Sequence, residues 1–218
     1  MSIPGYTLRP VQSSDIPALS DLLYKSKLSL TVNRLLFKDW PNEAVQRRKY
    51  AAVFEGLDLS KTEFVSVVDD ETGDLVGHLA LTRRRSISST ETQSVLPGNE
   101  QKVPDFFNPG VLAAVGAAAA ELAQDTKNID HYELTYIIVN PAHRRRGIGR
   151  ALMEHVFNKA KAAGVPVMLS TEPQVYEFFV KYGFKHVKHV DFDLAKWAPP
   201  YSGFGIFRLA SMIWESRE

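Results

Sequence analysis

Cysteine is absent from this 218-residue chain, which removes disulfide frameworks, thiolate metal sites and a cysteine nucleophile together. An excess of charge of either sign is missing too. Lysine and arginine number 26 against 25 acids, a formal net charge of +1, so no global field selects nucleic acid or an anionic membrane, and any basic site must be local. Long hydrophobic runs are lacking. The longest, "VLAAVGAAAA" at 111–120, is far short of the ~20 residues that span a bilayer. The opening "MSIPGYTLRPVQSSD" has no charged start followed by an apolar core, so no secretory signal is expected. The expected location is cytoplasmic. No histidine or acid cluster has metal-ligand spacing, so no metal is expected.

What is present is an ordinary soluble composition, 44% hydrophobic and 23% charged, at a length that suits one α/β domain with a real core. Tyr6 to Val11 reads as a strand. "SSDIPALSDLLYKSK" reads as a helix with Ser14 as cap, Pro17 in the first turn, and Ile16, Leu19, Leu22 and Leu23 on one face. "LTVNRLLFKDW" reads as a second helical piece, and Asn42 as the cap of a helix that runs to Gly56. Residues 62–82 predict a hairpin about the turn "DETGD". Residues 83–109, polar and carrying prolines 97, 104 and 109, predict a long irregular surface segment. "PGVLAAVGAAAAELAQD" predicts a helix packed on a sheet. The alternation then continues with the strand "YELTYIIVN", a helix from Gly147 to Ala163 stopped by Gly164, and the strand "VPVMLST". A short helix ending at Gly183 and two long strands, "FKHVKHVDFDL" and "GFGIFRLASMIW", complete the chain. The last strand either closes the sheet internally or joins a second copy in a homodimer.

The stretch "VNPAHRRRGIGRAL" at 139–152 concentrates the chemistry. A helix that begins there leaves its first backbone N–H groups unpaired, and glycines let several of them converge on one anion. Ile148, Leu152, Met153, Val156, Phe157 and Ala160 form an apolar stripe that pins the helix to the sheet. Other glycine-rich loops fit poorly. A dinucleotide fingerprint requires glycine at Leu152, and the nucleotide-triphosphate loop requires Gly-Lys-Ser/Thr. A merely solvated basic turn is the alternative.

Taken together, "LTYIIVNPAHRRRGIGRALM" resembles the acyl-CoA binding core of the GNAT superfamily of N-acyltransferases, whose pattern is matched at Val139, Pro141, Arg144, Gly147 and Gly149. "YEFFVKYGF", with Gly183 and Phe184, looks like the late helix of that family, and "YTLRPVQSSDIPAL" and the 62–82 hairpin are similar more loosely. Residues 83–130 and the tail after 195 have no clear counterpart. The resemblance implies an α/β (α+β) fold with a mixed, mostly antiparallel central sheet of about seven strands flanked by helices. It implies one N-acetyltransferase domain over 1–218 with an insertion at about 83–130.

The resemblance further implies acetyl-CoA as co-substrate. The backbone from Arg145 through Arg146, Gly147, Ile148 and Gly149 to Arg150 would bind its pyrophosphate, and Ile137, Ile138 and Val139 would pair with its pantetheine arm. The side chains of Arg145, Arg146 or Arg150 are candidates for the 3′-phosphate. A backbone N–H near Val139 would meet the developing oxyanion.

An amine nucleophile with a lysine-like pKa of ~10 needs a base to attack a thioester at neutral pH. Glu133, eleven residues before Arg144, has a spacing similar to the catalytic glutamate of the family's histone-modifying branch. A water-satisfied glutamate at a strand start is the competing reading. His131 and Tyr132 are weaker candidates. Many members carry a tyrosine as proton donor where this chain has Phe179. Either Tyr176 or Tyr182 substitutes, or no acid is needed because a thiol of pKa ~8.5 leaves as thiolate. Phe179 would then cover the thioester, and Tyr182 would pack beside Phe184. Glu172 stands where relatives often have asparagine.

The acceptor pocket is expected from residues 25–41, the 83–109 segment and "KWAPPYSGFG", with Trp40, Trp197 and Tyr201 as candidate aromatic walls. "TRRR" at 82–85 is read as a solvated strand end and His78 as an ordinary strand histidine. The expected partner is a small-molecule amine, ahead of a protein or peptide amine and of a non-catalytic acyl-CoA sensor.

Overall fold

The computed structural model describes residues 3–28, 30–55, 61–86, 105–124 and 126–216. The expected helix stop at Gly56 and residues 87–104 of the irregular segment lie outside the described residues. Seven strands, β1 (Tyr6–Pro10), β2 (Thr62–Asp69), β3 (Leu75–Arg84), β4 (His131–Val139), β5 (Val167–Thr171), β6 (Lys185–Asp193) and β7 (Ile206–Trp214), form one sheet in the order β1-β2-β3-β4-β5-β7-β6. Every neighbouring pair is antiparallel except β4 and β5. The mixed, mostly antiparallel architecture is thus as expected. The last strand closes the sheet internally by inserting between β5 and β6.

Helices α5 (Ile148–Ala163) and α6 (Pro173–Lys181) cover one face, where Leu152, Met153, Val156 and Phe179 join Leu79, Leu81, Leu134 and Met212 in a core. Helices α1 (Ile16–Lys27) and α3 (Glu43–Glu55) cover the other, with Leu19, Leu22, Leu23 and Phe54 over Phe64, Ala80 and Ile138. A third cluster joins the short α2 (Asn33–Leu36) and the small-residue helix α4 (Pro109–Gln124) to Leu194 and Phe207. As the sequence predicts, α4 packs on the sheet, over β6 and β7. Among the described residues, no helix is long and apolar enough to cross a membrane.

Local signals account for most boundaries. Asn42 accepts the Val45 N–H at 3.1 Å and caps α3. Gly164, at φ 62°, ends α5 in the left-handed conformation that costs a side-chain residue most. One cap is corrected: the residue that precedes α1 at its N-cap is Asp15, not Ser14, and it makes no side-chain bond to the helix. The Asp15 carboxylate accepts the Gln12 N–H at 2.8 Å and is held by Arg9 through two bonds of 2.6 and 2.8 Å. That pair draws Asp15 below the usual carboxylate range, with the Arg9 hydrogen bond as the main cause.

His78 lies in β3, as the reading of a strand histidine expects, and the structure adds that it belongs to the core. It is 1% exposed, stacks on Phe64, and meets Ser66 Oγ through Nδ1 at 3.3 Å. Burial pushes its pKa from 6.5 to about 4. The unfolded chain therefore takes up this proton near 6.5 and the folded chain only near 4, so stability falls as pH drops through that window and is flat above it. The loss amounts to about 3 kcal/mol. Chemical denaturation of His78→Phe is expected to show a visibly shallower decline between pH 6.5 and 4 than the parent.

Candidate active site

β4 and β5 pair only at Tyr132↔Val167 and Glu133↔Met168. Immediately beyond, the β3–β4 register slips, from Leu81↔Leu134 to Ala80↔Tyr136, which leaves Thr135 as the extra residue of a β-bulge. A bulge bends its strand, and past this one β4 and β5 part. The result is a wedge-shaped cavity of about 600 Å³ lined by Leu134 to Val139 on one side and Leu169 to Glu172 on the other. Gly149 on α5 and Phe178 and Phe179 on α6 stand at its walls. Beyond Glu133 the β5-facing edge of β4 has no strand partner, so its N–H and C=O groups are open to an extended ligand.

The wedge opens onto the start of α5. Gly147 caps the helix at φ 88°, and Arg145 takes φ 61°. The first helical bond is closed by Ala151 N–H on Gly147 O at 3.0 Å. Among the described residues, the N–H groups of Arg145 to Arg150 find no backbone acceptor. Six donors and the positive end of the helix dipole are gathered here, an arrangement physically able to take an anion. Close packing fixes it in place. A Cβ on Gly77 would lie 2.9 Å from Ile148 Cγ2 and 3.2 Å from Val67 Cβ, so only glycine lets β3 approach the first turn of α5 this closely.

The arginines divide by position. Arg144 and Arg145 line the cavity, and Arg144 Nε lies 3.5 Å from Val139 O. Arg146 donates to Tyr6 Oη at 3.0 Å, and that hydroxyl in turn meets His143 Nδ1 at 3.3 Å. Arg150 pairs with Glu154 at 2.8 Å. Neither Arg146 nor Arg150 lines the cavity. Ile148 is 1% exposed and turns its side chain into the core, so only its backbone faces an anion. Ile137, Ile138, Val139, Gly149 and Phe179 all line the wedge.

Glu133 sits at the closed end, where the strands still pair, and does not line the cavity. Arg84 Nε donates to its Oε2 at 2.6 Å. Side-chain alternation places Glu133 on the face of Tyr136 and Ile138, opposite Tyr132 and Leu134, which pack toward α5. Arg83 is engaged by Asp130 at 3.2 Å, so the 82–85 run is less solvated than its sequence suggests. Tyr182 packs on Phe157 and Phe178. Tyr176 faces His186 in a second hollow of about 440 Å³ under α6, where Arg208 is tied to Asp191 by two 2.7 Å bonds. Neither tyrosine lines the wedge.

Other expectations are corrected. Trp40 and Trp197 pack in the α2–α4 cluster and Tyr201 is fully exposed, so none of the three forms a wall of the wedge. The acceptor-side residues that do line it are Ser26, Lys27 and Leu30, within the expected 25–41 stretch. Thr135, Ser170 and Thr171 were not legible as site residues, because a bulge inside an unbroken β-rich run leaves no mark on the sequence.

Residues 108–186 match the family described as acetyltransferase (GNAT) domain. This stretch, about the anion-facing junction and α6, is what the chain shares in sequence with that family. Solved structures of acetyltransferases share the fold. A histone acetyltransferase HPA2 and related acetyltransferase from Corynebacterium glutamicum superposes with TM-score 0.63 at 18% identity, covering 98% of each chain. The NAA60 protein of Arabidopsis thaliana, solved with a bisubstrate analogue, gives 0.54 at 13% identity over 96% and 97% of the two chains. A GNAT superfamily phosphinothricin acetyltransferase from Sinorhizobium meliloti, in complex with acetyl-CoA, gives 0.52 at 15% identity over 96% and 88%. No curated protein matches the sequence.

Gly147→Ala forces a side chain into a left-handed conformation that costs about 1–2 kcal/mol. Scanning calorimetry of the variant is expected to show a correspondingly lowered unfolding temperature.

Proposed function

We propose that this protein transfers the acetyl group of acetyl-CoA to the amine of a small molecule by direct attack in a ternary complex. We further propose that residues 1–218 act as a single domain with an insertion at about 83–130, working in the cytoplasm. The observation that carries the reading is the joining of an unpaired β4 edge to the start of α5 within one cavity. Such a cavity suits a ligand with a diphosphate at one end and an amide-bearing arm at the other.

In this reading the N–H groups of Arg145 to Arg150 hold the pyrophosphate, and the Arg144 and Arg145 side chains add charge at the mouth. The amides of the pantetheine arm bond to the open edge of β4 from Val139 through Ile137. The thioester then lies toward the bulge, beside the buried Phe179, where a β4 N–H meets the oxyanion. The amine nitrogen attacks the carbonyl carbon and the C–S bond breaks. Sulfur departs as thiolate, which a pKa of ~8.5 permits without an acid. The positions of Tyr176 and Tyr182 support that choice, since both lie outside the wedge. Glu133 also lies outside the wedge, at its closed end, so in this reading it takes the amine's proton only through a water, with Arg84 holding Oε2 and leaving Oε1 for the task.

Thiol release measured at saturating acetyl-CoA across a panel of amines tests the reading. Glu133→Gln is expected to lower kcat by about 10²–10⁴, whereas Tyr176→Phe and Tyr182→Phe change it little. Unaltered turnover in Glu133→Gln removes the base. Absence of calorimetric heat with both acetyl-CoA and free CoA, on folded protein, removes the function.

A further inference from the structure

The α1 end of the wedge carries positive charge that no carboxylate among the described residues neutralises. Lys27 lines the cavity beside Ser26 and Leu30 and is partly buried. Behind it Lys49, from α3, is enclosed by rings, its Nζ 4.7 Å from the centroid of Phe37 and 4.5 Å from that of Phe107. Among the described residues, neither lysine has a carboxylate within ion-pair distance, whereas Lys25, Lys159 and Lys188 find theirs at 2.7, 3.0 and 3.1 Å. Burial, aided by the charge on Lys27, pulls Lys49 from 10.5 to about 8. Tyr136 also lines the cavity, and its hydroxyl is shielded from solvent with no partner among the described residues. Two half-buried ammonium groups raise each other's energy, and a bound anion relieves both.

We propose that this end of the wedge is an anion subsite in which Lys27 and Lys49 hold the carboxylate, or an equivalent acidic group, of the acceptor amine. The inference rests on the acetyl transfer proposed above and narrows its acceptor to small amines that carry an acid. Polyamines and other cationic acceptors are repelled by the same two charges. The Tyr136 hydroxyl adds a donor that an acid oxygen can accept. Phe37 and Phe107 keep Lys49 dry enough for the attraction to count.

Matched acceptors decide the matter: glycine against glycinamide, β-alanine against its amide, and 4-aminobutyrate against its amide, assayed by thiol release at saturating acetyl-CoA. Each amide has the less basic amine, so intrinsic reactivity favours it and a preference for the acid is diagnostic. At least one acid is expected to exceed its amide about tenfold or more in kcat/KM. Lys27→Met and Lys49→Met are expected to collapse that ratio through the acceptor's KM. Amides that equal or beat every acid overturn the subsite. So does a loss that falls on the KM of acetyl-CoA, which would assign the lysines to the coenzyme's phosphates. Should no amine be acetylated although acetyl-CoA binds, the transfer reading fails by itself. The subsite is then judged by titrating N-acetyl-β-alanine into the CoA-bound protein. Heat that disappears in the two lysine variants upholds it, and no heat in the parent overturns it.

Discussion

The parting of β4 from β5 is the constraint on which the site depends. Two parallel strands that stayed paired would leave no open edge and no wedge. The bulge at Thr135, placed directly after the last shared pairing at Glu133↔Met168, turns β4 away while β3 still holds its other side. Antiparallel pairing to β3 continues to Val139, so the bent strand stays rigid. An open backbone edge buried in protein is costly unless something pairs with it, and that unmet pairing is what suits the wedge to a peptide-like arm.

Around this opening the rest of the structure supplies fixity. The apolar stripe of α5 is buried almost completely, and Ile148 is wedged against the bare backbone of Gly77. The first turn of the helix cannot shift without displacing β2 and β3. Unpaired N–H groups at a helix start bind anions well only when they are already aimed, because the ordering cost is then met by folding rather than by binding. Arg146 contributes from outside the cavity by tying the loop to Tyr6 on the first strand.

The electrostatic character differs along the cavity. At the α5 end the charge is supplied by backbone dipoles and two arginines in the open. At the α1 end it comes from Lys27 on the cavity wall and from Lys49 behind it, the latter held among aromatic rings, where a counter-charge is worth more because water is scarce. Half-buried lysines with no carboxylate partner among the described residues cost stability at that end of the cavity, and such concessions concentrate at binding sites.

The sequence by itself determined a good deal. Helix and strand order, the Asn42 cap, the glycine stop of α5 and the glycine-bent junction into α5 were legible, because each depends on residues adjacent in the chain. Arg144, Gly147 and Gly149 stand out for the same local reason. Tertiary structure decided what depends on register and on contacts between distant segments. The bulge at Thr135 reflects how β4 fits β3 and has no residue signature. The division of the arginines follows from Tyr6 and Glu154 lying within reach of two of them. Trp40 and Trp197 look like pocket walls in a list of residues, yet three-dimensional packing commits them to the α2–α4 cluster. Lys27 and Lys49 lie 22 residues apart in the chain, and only the packing of α1 against α3 makes them neighbours, because charge acts through space and not along sequence.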